Sequence, residues 1–291
     1  MPVIAKAKGK YVWDVDDKRY LDFTGANLTT VLGYRPTLPS VPNYPGVSDT
    51  EQELTDMLSG YTGTKHWRYF KNGHNAVDCA VRLARRILRN PNANVIYMGY
   101  HGTSDSYIST TKDNNGIPLQ HSEQIKTASE LTEGYKYDIL VFESRYAEYA
   151  DKIDANIKIE DCLKSGIRAL YDGVDYDFTL MGKSIANGSP LAVMTGKDEL
   201  MEKIDEIYYS TTFGCNPGDM KECIRTIKDF EKVKDKYFKL YKYAKEVLPA
   251  WQSITPADML KFQEHGILYN GYWSIHIQHT KKDIDTLKKY C

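Results

Sequence analysis

Apolar and polar positions along this chain follow two periods that take turns. Short, nearly continuous apolar runs occur at Val95-Ile-Tyr-Met98, Tyr137-Asp-Ile-Leu-Val-Phe-Glu143, Ile157-Lys-Ile-Glu-Asp161, Phe178 to Met181 and Leu191-Ala-Val-Met194, and each predicts a buried strand. Elsewhere apolar residues return every three or four positions, most clearly at Ala76, Ala80, Val81, Leu83, Ala84, Ile87 and Leu88, which predicts a helix with one buried face. Strands alternating with helices imply an α/β fold whose sheet is mainly parallel and flanked by helices.

The ends of the chain read differently. Tyr11-Val-Trp-Asp-Val and Lys18-Arg-Tyr-Leu-Asp-Phe23 alternate in polarity around a turn at Asp16-Asp17, the pattern of a β-hairpin. Ser48 with Glu51 predicts a capping box opening a helix that Gly60 should end, and residues 66–71 predict a short strand. A polar connector over 103–136 carries a modest helix around 123–131. A helix is expected over 198–207, then a hydroxyl-rich loop, Tyr208-Tyr-Ser-Thr-Thr-Phe-Gly-Cys-Asn-Pro217, then one long charged helix from Pro217 to about Val247. The tail predicts a helix, a strand over 268–278 and a helix capped by Thr280. The expected division is an N-terminal hairpin and connector (1–47), a central α/β domain (48–246) and a small C-terminal α/β unit (247–291).

Composition narrows the function classes. With 291 residues the chain can bury a sizeable core, and 38 Lys+Arg against 39 Asp+Glu give a net charge of -1, so no global field recruits nucleic acid or an anionic membrane. No stretch reads as a membrane span, and the N-terminus lacks the apolar core of a secretory signal, so a cytoplasmic protein is expected. Five cysteines without a Cys-x-x-Cys pair argue against a disulfide framework and a zinc knuckle. His276 and His279 fall on the expected terminal strand, where a spacing of three points them to opposite faces and argues against a metal pair.

Four features remain that carry chemistry. Asp177-Phe-Thr-Leu-Met-Gly-Lys-Ser-Ile-Ala-Asn-Gly188 delivers Lys183 from the end of a buried strand, either as a solvated loop lysine or as an amine able to form a Schiff base. Asn72-Gly-His-Asn75 turns a strand into a helix N-terminus, either an ordinary turn or a cradle of backbone amides for a phosphate. Tyr100 follows one strand, and the carboxylates of Glu143 and Asp161 end two others, where open α/β sheets place ligands. Pyridoxal phosphate uses all four features: a lysine to hold it, a carboxylate to keep its pyridine nitrogen protonated, amides for its phosphate and a flat side chain against its ring.

The wording and order of seven stretches also resemble the class III aminotransferases of fold type I, most closely their glutamate-1-semialdehyde aminomutase branch. They are Gly9 to Phe23, Arg68 to Arg85, Gly99-Tyr-His-Gly102, Ile159 to Arg168, Asp177 to Gly188, Ser210 to Pro217 and His279 to Asp285. The resemblance implies that Lys183 is the Schiff-base lysine and moves the substrate proton, and that Asp161 pairs with the pyridine nitrogen. It implies ring stacking by Tyr100, phosphate binding at Asn72, Gly73 and His74, a strand-end role near the cofactor for Glu143, and a phosphate contact from Thr212 of a neighbouring subunit. It further implies small amine and keto-acid substrates and a homodimer or larger assembly with its active site at the interface. The sequence departs from the family at His74, Asn75, Cys162 and Leu163, and regions that shape the substrate pocket are contracted. The expected activity is amino-group transfer through the lysine; an aminomutase and a non-catalytic cofactor-binding remnant are the alternatives.

Overall fold

The computed structural model describes residues 4–25, 29–35, 49–104, 134–214, 216–249 and 254–291. The expected cap at Ser48, the helix around 123–131 and Cys215 lie outside the described residues. Chain contacts divide the molecule into two compact units: one holds residues 1–39, 183–189 and 222–291, the other 40–182 and 190–221.

The first unit opens with strands β1 (Ile4–Lys8), β2 (Tyr11–Asp14) and β3 (Arg19–Asp22), joined antiparallel. The Asp14 side chain builds the β2–β3 turn, since its Oδ1 accepts from the amides of Asp16 (3.0 Å) and Lys18 (2.9 Å) while Asp17 turns at φ 60°. The expected hairpin is therefore present.

The second unit begins with α1 (Asp49–Thr62) and β4 (Arg68–Phe70), continues through α2 (Gly73–Ile87), and then supplies β5 (Val95–Met98), β6 (Tyr137–Glu143), β7 (Ala155–Asp161), β8 (Phe178–Gly182) and β9 (Ala192–Gly196). These strands form one sheet in the order β4-β9-β8-β7-β6-β5. Strands β5 to β8 are mutually parallel and only β9 runs against its neighbours. Alternation explains the continuous apolar runs. Val95, Tyr97, Ile139, Val141, Ile157 and Ile159 pack with Ala76, Val77, Ala80 and Ala84 of α2, whereas Ile96, Met98, Leu140 and Phe142 pack with Ala150 in a second cluster. Both faces are covered, so both need apolar residues.

The chain then forms α3 (Pro217–Glu231), α4 (Lys234–Val247), α5 (Pro256–Glu264), β10 (Ile267–Leu268) and α6 (Lys281–Lys288). Strand β10 pairs in parallel with β3, so the first unit joins the two ends of the described chain in one four-stranded sheet. Thr280 caps α6 as expected, in a capping box with Asp283.

Several expected boundaries move. Gly60 lies inside α1, which stops instead at Gly63 with φ +76°, a left-handed C-terminal position that glycine takes without strain. The single helix over 217–247 is two helices, broken at Val233, whose φ of -127° leaves the helical region. Residues 198–207 hold two short turns, Asp198–Met201 and Ile204–Glu206. The strand over 268–278 shrinks to β10, because the chain folds into turns before α6 and the His279 amide donates to the His276 carbonyl at 3.0 Å. The two imidazoles consequently stack on each other, with centroids 3.8 Å apart, instead of pointing apart. Among the described residues no His, Cys, Asp and Glu side chains gather as a metal site, and no helix is long and apolar enough to cross a membrane.

Candidate active site

Three neighbouring parallel strands deliver their C-terminal ends to one place in the second unit. Glu143 and Asp161 are register partners at the ends of β6 and β7, and both are buried. Neighbouring strands lie about 4.8 Å apart, so the two carboxylates stand side by side. Strand β5 ends next to β6, and the chain beyond it turns through Gly99 at φ +105° to present Tyr100 and His101. That turn needs glycine twice over, because a Cβ at Gly99 would also stand 2.8 Å from Cδ and Cγ of Glu143.

Asp161 is held from two sides. Its Oδ1 accepts from the Leu163 amide (2.9 Å), and its Oδ2 meets Nδ1 of His101 at 2.8 Å. The other ring nitrogen of His101, Nε2, lies 3.2 Å from the Met98 carbonyl, so the buried imidazole is held between that oxygen and Asp161. Neighbouring Glu160 points to the opposite face of β7, where burial pushes its carboxyl up to about 7 against the hydrogen bond from Cys162.

Glu143 binds three groups. The Tyr100 amide donates to Oε1 at 2.8 Å, the Lys164 ammonium lies 2.6 Å from the same oxygen, and Arg145 Nε forms an ion pair with Oε2 at 2.6 Å without hydrogen-bond geometry. Tyr100 is partly exposed, and Lys164 Nζ sits 5.6 Å from its ring centroid.

The N-terminus of α2 adjoins the same strand ends. Asn72 is the N-cap in extended conformation, and its side chain makes no capping hydrogen bond. The helix therefore opens with backbone amides and the positive end of its dipole, and the Asn72 side chain does not cap them. Gly73 is required here by contact: a Cβ would stand 2.4 Å from Cδ1 of Leu163, two residues beyond Asp161. The same leucine lies 2.5 Å from where a Cβ of Gly182, at the end of β8, would be. Leu163 thus fills the space between the helix N-terminus and two strand ends.

Lys183 directly follows β8 in the chain and clusters with the first unit. Its φ of 50° is left-handed, a conformation costing a non-glycine residue about 1 kcal/mol, and Asn187 (φ 44°) and Gly188 (φ 101°) share it. The Asn187 side chain fixes the segment, accepting from the Leu32 amide (2.8 Å) and donating to the Gly33 carbonyl (3.3 Å). Thr212 lies in an exposed turn of the second unit, between Tyr208 (87 % exposed) and Phe213 (59 % exposed).

Of the residues expected from sequence, the structure of the second unit gathers Asp161, Glu143, Tyr100, Asn72 and Gly73, with His74 in the first turn of α2. Sequence reasoning missed the partners. His101 sits inside the quoted Tyr100-His-Gly102 stretch, but its bond to Asp161 joins residues 60 apart and has no local signal. Lys164 and Arg145 have no local signal of this role either, and it is the fold that sets both beside Glu143.

No protein-family model matches the chain. A glutamate-1-semialdehyde 2,1-aminomutase of Legionella pneumophila (strain Paris) is 27% identical to it, over 80% of this chain and 67% of that protein. The protein of the same name from Nitrosopumilus maritimus is 25% identical over 82% of this chain and 69% of its own length. Among solved structures, the ornithine aminotransferase from Toxoplasma gondii matches with a TM-score of 0.76 at 18% identity, covering 99% of this chain and 89% of that one. A Bacillus anthracis aminotransferase matches with a TM-score of 0.76 at 15% identity over 100% of this chain and 92% of its own. The chain has the fold type I α/β architecture of these transaminases and is similar in sequence to the glutamate-1-semialdehyde 2,1-aminomutases.

Proposed function

We propose that the protein is a pyridoxal-phosphate-dependent aminotransferase that moves an amino group between an amine or amino acid and a keto acid. The observation that carries this reading is the group of strand ends in the second unit: a buried carboxylate with an imidazole partner, beside a glycine helix N-terminus whose N-cap Asn72 side chain makes no capping hydrogen bond. Aminomutases among its sequence relatives and a transaminase solved with PLP bound among its fold neighbours support the same cofactor.

The residues present fit that group. When bound, the cofactor supplies a ring that accepts electrons from the substrate. Asp161, held by His101 and the Leu163 amide, would hold a proton at the ring nitrogen. The first amides of α2, at Gly73 and His74, would bind the phosphate through the helix N-terminus even though their side chains depart from the family pattern. Tyr100 would flank the ring, Lys183 would anchor the aldehyde and move the substrate proton, and Glu143 would fix Tyr100 through its amide. Thr212, on its exposed turn, would reach the phosphate of a second copy, which requires at least a homodimer.

The test is to add pyridoxal phosphate, reduce with borohydride and map the modified lysine. Modification at Lys183 supports the reading, and absence of any visible cofactor absorbance overturns it. A 2,1-aminomutase is the second reading, favoured by the names of the sequence relatives. Turnover of a semialdehyde without a second substrate selects it.

A further inference from the structure

The short turn that opens at Lys183 is anchored by a side chain at its far end. Lys183–Ala186 form one 3-10 turn, after which the Asn187 amide donates to the Ser184 carbonyl at 3.3 Å and the Ser189 amide to the Ala186 carbonyl at 3.0 Å. These bonds are local and would survive a rotation of the whole turn. The two bonds of the Asn187 carboxamide are not local, since Leu32 and Gly33 lie 155 and 154 residues away in sequence. One acceptor and one donor on a short, neutral group match one amide and the next carbonyl, a pair that aspartate cannot complete when ionised.

The segment that Asn187 grips is itself fixed. The Val31 carbonyl accepts from the Ile277 amide at 3.0 Å, Tyr34 exchanges backbone bonds of 2.9 and 2.8 Å with Gly9, and the Tyr34 hydroxyl donates to Asp22 at 2.6 Å. Between them Gly33 has no room to move, because a Cβ there would stand 2.7 Å from both the Gly9 carbonyl oxygen and Cγ of Gln278. The left-handed φ of Asn187 suits asparagine, whereas the left-handed φ of Lys183 does not suit lysine. A backbone angle of that kind persists where its surroundings over-determine it. Asn187, 4% exposed and bonded to a rigid segment, supplies that constraint at the other end of the turn.

We propose that Asn187 is the positioning residue for Lys183: its bonds to Leu32 and Gly33 hold the turn in the orientation that keeps the lysine backbone left-handed and its amine placed to anchor the cofactor. The proposal rests on the aminotransferase reading and deepens it. Asn187 acts through Lys183, with no chemical role of its own.

The test compares wild type with Asn187→Gly, Asn187→Ala and Thr280→Ala. Glycine takes a left-handed φ freely but makes neither bond, so it separates the clamp from the backbone preference. Thr280→Ala removes the cap of α6 in the same unit and serves as a control for lost stability, which urea unfolding measures in all four proteins. Each protein is titrated with pyridoxal phosphate, trapped with borohydride and mapped at Lys183. Losing two hydrogen bonds should reduce the fraction of molecules with Lys183 in place, weakening apparent cofactor affinity about 10-fold or more in Asn187→Gly and at least as much in Asn187→Ala, with Thr280→Ala unchanged. The pH midpoint of the visible absorbance of the loaded Asn187→Gly protein should move toward that of pyridoxal phosphate on Nα-acetyl-lysine, a change that lost stability alone does not produce. If Asn187→Gly does not fold, Asn187→Asp, which keeps the acceptor for Leu32, carries the same comparison. Trapping and midpoint equal to wild type in the Asn187 variants, or an equal loss in Thr280→Ala, overturns the proposal. Absence of trapping at Lys183 in wild type overturns the aminotransferase reading instead. The rate at which trinitrobenzenesulfonate modifies Lys183 in the cofactor-free proteins then decides the role of Asn187, and equal rates in wild type and Asn187→Gly refute it.

Discussion

Substituting Gly73 by alanine tests the contact that joins the helix N-terminus to the strand ends. Propensity alone predicts stabilisation of up to about 1 kcal/mol, since Gly73 has an ordinary helical φ and alanine is the better helix former. Contact predicts the reverse. The new methyl would lie 2.4 Å from Cδ1 and 2.8 Å from Cδ2 of Leu163, more than 1 Å inside the usual separation of about 3.5–4.0 Å. Leu163 has little room to withdraw toward β8, because it is already packed against the backbone of Gly182. Overpacking of this kind costs about 1–3 kcal/mol. Leu163→Ala alone should cost about 2–5 kcal/mol through the cavity it opens. In the double variant the methyl occupies part of that cavity, so the two costs should fall short of additivity by about 1–2 kcal/mol. Urea unfolding of the four proteins measures the cycle. A Gly73→Ala protein as stable as wild type, with strictly additive costs in the double variant, would refute the contact argument.

Three further outcomes are expected. Lys183→Ala should let pyridoxal phosphate wash out on gel filtration and should show no borohydride-trapped lysine; retention of reducible cofactor would contradict the assignment of the anchor. Burial, the coulombic effect of His279 and that of Lys10 hold the His276 imidazole well below its ordinary value, and burial brings His279 down to about 4. Both are neutral in the folded protein and charge on unfolding, so stability is full above about 6.5 and falls as pH drops from there toward 4, by about 1.4 kcal/mol per pH unit for each histidine; urea midpoints that stay level between pH 7 and 5 would rule this out. His101→Asn keeps an N–H for Asp161 and should retain more transamination than His101→Leu, with a displaced pH profile in the latter; equal losses and superimposable profiles would show that the imidazole acts only as packing.

What could be read from sequence follows the range of the interactions. The strands at 137–143 and 95–98 were legible because burial on both faces leaves a continuous apolar run, and α2 because its small apolar residues repeat with the helical period. Thr280 announced α6 because a capping box is complete within four residues. The break at Val233 was not legible, since the charged residues on both sides favour helix equally. The stacking of His276 on His279 was missed because a strand was expected where the chain makes turns, and turns reverse the rule about which side chains face each other. At the site, Asp161 and Tyr100 were found as strand-end residues, whereas His101, Lys164 and Arg145 acquire meaning only through strand register.

The pairing of β10 with β3 bears on the order in which the molecule can be assembled. The first unit is closed by contacts such as that between Lys10 and Asp283, 273 residues apart in sequence. Every residue of the unit with the six-stranded sheet has been synthesised once residue 221 is made, but the edge beside β3 stays unpaired until residue 268 emerges. The entropy of closing so long a loop is met only when both ends exist and docking can repay it. Because Lys183 to Ser189 belongs to that later unit, the topology makes the carboxylate end of the proposed site available to fold before the segment that carries its lysine.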